Sequence, residues 1–177
     1  MKKKYILTDE TITLDSGIVL HRIKAIRSFG DVNEGNLGGW IEKEENLSHK
    51  GHCWIHCNAC VYDNAKVYDN AIVYGHAKVF NNATVCDNAI VCGDAYIFGN
   101  ATVCCYANVY DNAIVCDNAK VFENACIYDK VKVVGNVEIR GHAEIHGDAV
   151  IKSNNDYIVF KNWWSSGRYF TWTRSNN

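Results

Sequence analysis

The chain has no proline and a single methionine, so none of its turns is set by a pyrrolidine ring. No apolar run approaches the roughly 18 residues that a membrane-spanning helix needs. The basic start Met1-Lys2-Lys3-Lys4 is followed by Tyr5-Ile6-Leu7-Thr8-Asp9-Glu10 rather than by an apolar signal core. Neither sign of charge dominates: 18 Lys and Arg stand against 20 Asp and Glu, a formal net charge of −2. That balance disfavours a strongly basic nucleic-acid binder and an acidic tail protein alike. No glycine-rich phosphate loop, Ser-His-Asp order or pair of catalytic carboxylates is visible. Nine cysteines without a secretory signal read as reduced thiols in a cytoplasm, not as a disulfide framework. What abounds is asparagine and alanine, 20 and 15 of the 177 residues. The length suffices for one domain with a sizeable core.

The alanines and asparagines belong to a repeat. From Ile55 to Ile151 every sixth residue is Val or Ile, at all 17 positions. A second series from Ala59 to Ala149 holds Ala at 14 of 16 positions, with Val131 and Val137 as the exceptions. The unit is Ala-x-Val, then an aromatic or Cys, then two turn residues, as in AKVYDN and ATVCDN. In a strand, Ala and Val point to one face and x to the other. β-branched residues suit such a strand. Ten of the 16 second-turn positions are Asn, which tolerates left-handed backbone and is expected to take it at these corners. Short strands with corners this tight cannot lie flat. They must coil, each strand bonding to its equivalent one coil of 18 residues away. About five and a half coils at ~4.8 Å give a prism about 26 Å tall.

The pattern [Val/Ile]-x-x-x-Ala-x resembles the hexapeptide repeat of left-handed parallel β-helices, and the left hand is what that resemblance implies. Parallel crossovers are otherwise right-handed. The leader carries a second likeness in Phe29-Gly30-Asp31-Val32, Gly38-Gly39-Trp40, Asn46-Leu47-Ser48 and Cys53-Trp54. It resembles a family of bacterial and phage proteins named as hexapeptide-repeat transferases, whose activity is undetermined. The expected fold is therefore all-β: a left-handed parallel β-helix of about 5–6 triangular coils. Residues 1–52 read as an N-terminal capping hairpin and lead-in coil, with Asp15-Ser16-Gly17 turning the hairpin. Residues 53–152 read as the helix and 153–177 as an aromatic cap. In that cap Ser165-Ser166-Gly167 would join Tyr157–Trp164 to Arg168–Arg174. Phage relatives are expected to continue beyond the point where this chain stops at Asn177.

The hexapeptide-repeat fold is best known for acyltransferases using acetyl-CoA or acyl carrier protein, with a histidine as general base between subunits of a trimer. The resemblance makes His76 and His142 the catalytic candidates. As plain turn residues they substitute for Asn or Asp at corners, and that is the preferred reading. The loop that often shapes the acyltransferase site is missing, because the hexad never breaks between 55 and 151. The cluster His52-Cys53-Trp54-Ile55-His56-Cys57-Asn58-Ala59-Cys60 has zinc-binding composition, but strand alternation sends Cys53 inward, His56 outward, Cys57 to a corner and Cys60 to the next face. No metal and no cofactor are expected. Cys86 and Cys104, 18 residues apart, should be stacked neighbours, able to form a disulfide or redox switch, or serving as small apolar surface filler like Cys92, Cys105, Cys116 and Cys126.

Sorting outward residues by coil separates three faces. The first is almost uncharged from Trp54 to Tyr128, and its proposed protein-binding residues are Trp54, His56, Ile72, Tyr74, Ile90, Tyr110 and Tyr128. The second adds Tyr62, Phe80, Tyr96 and Phe98. The third is mixed and polar. Large apolar patches mark contact surfaces, and Tyr and Trp dominate binding energies. The alternative is that such ladders only stabilise a parallel sheet. The expected partner is a protein or a second copy of this chain, as a homodimer or trimer. Nucleic acid is disfavoured, though the C-terminal aromatics with Lys161, Arg168 and Arg174 offer a stacking platform. No membrane partner is expected. The leading reading is a non-catalytic interaction module in the cytoplasm. The family resemblance extends it to a phage-encoded protein, acting in the host cytoplasm, that occludes a defence effector of CRISPR type. The alternative is a hexapeptide-repeat acyltransferase.

Overall fold

The computed structural model describes residues 2–161 and 168–174. It opens with an antiparallel hairpin, β1 (Tyr5–Thr13) and β2 (Val19–Ala25), turned at Gly17 with φ 86°. β3 (Leu37–Ile41) and a short 3-10 turn (Glu44–Asn46) follow. Among the described residues, seventeen two-residue strands then run at six-residue intervals, from β4 (Trp54–Ile55), β5 (Cys60–Val61) and β6 (Lys66–Val67) to β20 (Val150–Ile151). Every third strand stacks in parallel register, so Ile90 lies over Ile72 and under Asn108. The result is three sheets: β4 and every third strand after it to β19, β6 likewise to β18, and β5 likewise to β20. The last sheet is extended by β3, β2 and β1 into nine strands. Parallel strands one 18-residue coil apart make this chain a hexapeptide-repeat β-solenoid of about six turns, as its repeat predicted.

The interior is a column of Val and Ile with Ala at the corners, replaced by Val131 and Val137 at two of them, nearly all fully buried. The outward x and aromatic positions are half-buried or exposed, with few exceptions. Each corner follows one backbone recipe, and it corrects the expectation for asparagine. The left-handed residue is the first turn position, not the second. φ lies near 55–61° at Cys57, Asp63, Asp69, Asn81, Asp87, Cys105, Asp111, Asp117, Glu123 and Asp129, and glycines fill the other such corners. The second-turn N–H is consumed by the sheet ladder, as in Asn64 N–H to the Asn81 carbonyl at 2.8 Å. The first-turn N–H is not. Where the coil before carries Asp or Glu at that position, a carboxylate can accept it: Asp117 Oδ2 accepts from Gly135 N–H at 2.9 Å and Asp129 Oδ2 from Gly147 N–H at 2.8 Å. The asparagines instead form a side-chain ladder, Asn64, Asn82, Asn100, Asn118 and Asn136, each amide donating to the next at 2.8–3.3 Å.

The coil begins before the repeat becomes visible. Trp40 and Ile41 of β3 pair with Cys60 and Val61, and Leu47 bridges Val67. Asn46, fully buried, accepts from Lys43 N–H and donates to the carbonyls of Asp63 and Ala65. The Gly38-Gly39-Trp40 motif is steric: a Cβ at Gly38 would lie 2.6 Å from Ile23 Cγ1, and one at Gly39 2.5 Å from the Ala59 carbonyl. At the far end β21 (Tyr157–Lys161) and β22 (Tyr169–Thr173) pair antiparallel, as expected. The expected Ser165-Ser166-Gly167 turn lies outside the described residues. Tyr157 and Val159 pack on the core, and the Tyr157 hydroxyl donates to the Glu138 carbonyl at 2.7 Å.

Candidate functional site

The first face is the outer side of the sheet from β4 to β19. Its four middle coils display Ile72, Tyr74, Ile90, Cys92, Asn108, Tyr110, Cys126 and Tyr128, without a charged group. Parallel in-register stacking brings like positions together. Tyr110 and Tyr128 lie face to face with centroids 4.9 Å apart and planes 1° from parallel, and His146 continues the stack at 5.2 Å. The Cys126 thiol is 3.6 Å from the Tyr110 hydroxyl. Burial in this stack pushes the Tyr128 hydroxyl up to about 12, with the Glu144 carboxylate adding to the rise, and raises Tyr110 further. Tyr74 is exposed, and Ile72, Ile90, Tyr110 and Tyr128 are half-buried.

Trp54 departs from its expected place on this surface. It is only 1% exposed, held edge-on by Phe29 at 5.4 Å and Tyr5 at 6.1 Å. The leader folds over the outer side of β4, so the open face starts one coil later. Beside it, His56 is half-buried and its pKa is lowered by that burial.

The second face carries its own stack: Tyr62 on Phe80 at 5.1 Å and Phe80 on Phe98 at 5.0 Å, nearly parallel. Tyr96 is exposed, with the Lys78 ammonium 5.6 Å from its ring centre. The hairpin covers the lower end of this face, where Leu20, Trp40 and Cys60 are buried together with Ile12, Leu14, Ile18 and Tyr62 packed against them. Lys78 and Lys132 make this face less uniformly uncharged than the first.

The two catalytic candidates do not converge. His76 is exposed at the corner between the first and second faces, and His142 at the corner between the third and first, where it stacks on Tyr169 at 4.1 Å. A groove of about 690 Å³ opens beside the Asn64–Asn82 corner, lined by Lys43, Glu45, Asn46, Lys66 and Thr84. No histidine or cysteine lines it. The His52–Cys60 cluster disperses as alternation requires: Cys53 is fully buried, Cys57 sits exposed at a corner with φ 56°, and Cys60 is buried under the hairpin.

The C-terminal hairpin shows Ile158, Phe160, Phe170 and Trp172 on its outer side, 44–57% exposed. Lys161 lies over the Tyr169 ring at 5.6 Å. Sequence reasoning placed these residues as a cap, and its inner side is one. The sequence also offers these aromatics as a stacking platform, and alternation within YIVFK puts Ile158 and Phe160 on the exposed side. No helix among the described residues is long and apolar enough to cross a membrane.

No family model matches the chain. An uncharacterized acetyltransferase, YdcK of Escherichia coli (strain K12), is 46% identical over 39 residues, 22% of this chain and 12% of that protein. The match spans about an eighth of that relative's length, and 39 residues are just over two coils of 18.

Proposed function

We propose that this chain is a non-catalytic protein-interaction module that docks through the first face. The observation that carries the reading is the uncharged surface of stacked tyrosines, isoleucines and thiols over four coils, on a chain whose other two faces carry lysines. Stacked rings present rigid area with little side-chain entropy left to lose on binding. The regular prism makes a second copy the simplest partner, since one flat face meets its own image across a two-fold axis. Sedimentation velocity on the full chain tests this. An oligomer is expected at micromolar concentration, and Tyr110→Glu is expected to weaken it at least ten-fold. A wild-type monomer indifferent to Tyr74→Glu and Tyr110→Glu sinks the self-association form.

The finer reading, a phage-encoded protein that occludes a host defence effector, is supported by the family resemblance. It expects the same two substitutions to abolish binding to that effector.

The second reading is acyl transfer, favoured by the local similarity to a protein named as an acetyltransferase. Clear acetyl-CoA binding by calorimetry, lost in His76→Ala or His142→Ala, would reverse the ranking.

A further inference from the structure

On the third face the 18-residue register stacks Cys104 on Cys86, one residue beyond the paired Val85 and Val103. The corner residue Asp87 turns back toward them. The Sγ atoms of Cys86 and Cys104 and a carboxylate oxygen of Asp87 all lie within 4.8 Å of one another, with Asp87 Oδ2 3.9 Å from Cys86 Sγ. Asp87 is held in place by the Cys105 N–H, which donates to its Oδ2 at 3.0 Å. The Cys105 thiol stands 4.0 Å from that of Cys104. The Tyr68 hydroxyl shares a hydrogen bond with Cys86 from the other side. Cys86 is buried, while Cys104 and Asp87 are half-buried, so the donors are fixed by the sheet yet open to solvent on one side.

We infer that Cys86, Asp87 and Cys104 form a site for a thiophilic divalent cation of the zinc class. Tetrahedral Zn²⁺ with thiolates at 2.3 Å sets its sulfurs about 3.8 Å apart, a contraction of no more than about 1 Å from the present spacing. Two thiolates and one carboxylate supply three protein donors and leave the fourth position for solvent. The charged groups that bear on the pair are acidic: Asp87 and Asp69 on Cys86, and Asp87 on Cys104. That field draws a cation and repels an anion. Cation binding is plain exchange: each sulfur takes the metal as its proton passes to solvent, and no electron moves.

The probe is the metal alone. The reduced chain, titrated with Co²⁺ and then Zn²⁺, should bind one equivalent, show a thiolate-to-cobalt charge-transfer band, and lose that band as Zn²⁺ displaces Co²⁺. Cys86→Ser with Cys104→Ser should abolish binding, and Asp87→Asn should weaken it about ten-fold to a hundred-fold. Cys57→Ser should leave it unchanged. Alkylation mapped by mass spectrometry on the wild type keeps the test independent of how the variants fold: Zn²⁺ should protect Cys104 and Cys86 while exposed Cys57 stays labelled. Absence of the charge-transfer band overturns the proposal. So does metal uptake that survives the double substitution and falls in Cys57→Ser, or a Cys86–Cys104 disulfide formed in air by protein that takes up no metal.

Discussion

Asp117 and Asn118 are neighbours at one corner with separate tasks. Asp117 adopts φ 61° and offers its carboxylate to Gly135 N–H; Asn118 passes its amide to Asn136. Aspartate and asparagine share the local preferences that send them to corners, so composition cannot say which takes the left-handed backbone. The ladder decides it, because only the first-turn N–H is left over to be satisfied. Asp117→Ala keeps the strained φ and removes the acceptor, and should cost about 1–2 kcal/mol. Asp117→Asn retains an acceptor oxygen and tolerates that φ, and should cost less than about 0.5 kcal/mol. Urea midpoints of the two variants check the contrast; equal losses would mean that the carboxylate caps nothing. The thiol cluster divides in the same way. The stacking of Cys86 on Cys104 was legible from the period, whereas the approach of Asp87 was not, since its direction follows from the positive φ of 57°.

At the scale of elements, the strands were legible because a six-residue period is local, and so were both hairpins. What the leader lies on was not. Trp54 reads as outward by alternation and is outward, yet Phe29 and Tyr5 cover it. Coverage by a segment distant in sequence leaves no periodic trace. The aromatic ladders make a prediction about alkaline stability. Tyr62, chiefly through burial, is pushed up to about 12 from an ordinary 10.0, and Tyr128 to about 12. Below pH 10 both states hold these protons and the stabilisation is complete. Between pH 10 and 12 the folded chain keeps protons that the unfolded chain releases, so stability falls as pH rises. The raised thiols Cys60 and Cys116 act in the same sense. Lys4 acts oppositely, since its burial lowers its pKa and makes the unfolded chain the better proton binder just below 10.5. Denaturant midpoints should therefore drop from pH 9.5 to 11.5, and Tyr62→Phe should make the drop shallower. A Tyr62→Phe profile parallel to wild type would remove Tyr62 from the account.

For the whole molecule, a solenoid has two ends, and each last coil exposes N–H groups with no next strand. Every interior x-position N–H bonds to an Ala or Val carbonyl one coil on, as Lys120 does to Val137 at 2.8 Å. At the C-terminal end that carbonyl is missing and side chains of the cap replace it. Asn154 Oδ1 accepts from Glu138 N–H at 2.8 Å, and Thr171 Oγ1 accepts from Glu144 N–H at 2.7 Å. Asp156 Oδ2 accepts from Lys152 and Ser153 N–H at 2.8 and 2.9 Å, and these backbone donors hold its carboxyl below the ordinary carboxylate value. A cap was legible from the break in the hexad after Ile151, but its acceptors were not, because single Asn and Thr residues outside a repeat carry no register. Replacing both acceptors by isosteres without one, Asn154→Leu with Thr171→Val, keeps the cap's bulk and leaves two edge donors unpaired. The expected outcome is faster amide exchange at Glu138 and Glu144 with little change at Ile90 or Asn108, together with concentration-dependent light scattering as bare edges pair end to end. Since the substitutions bare the same C-terminal end on every copy, two such ends meet as identical patches, and growth should stop at a dimer rather than proceed to fibres. Unchanged exchange at both amides, with no rise in scattering, would show that the hairpin's apolar packing through Tyr157 and Val159 seals the end without those two bonds.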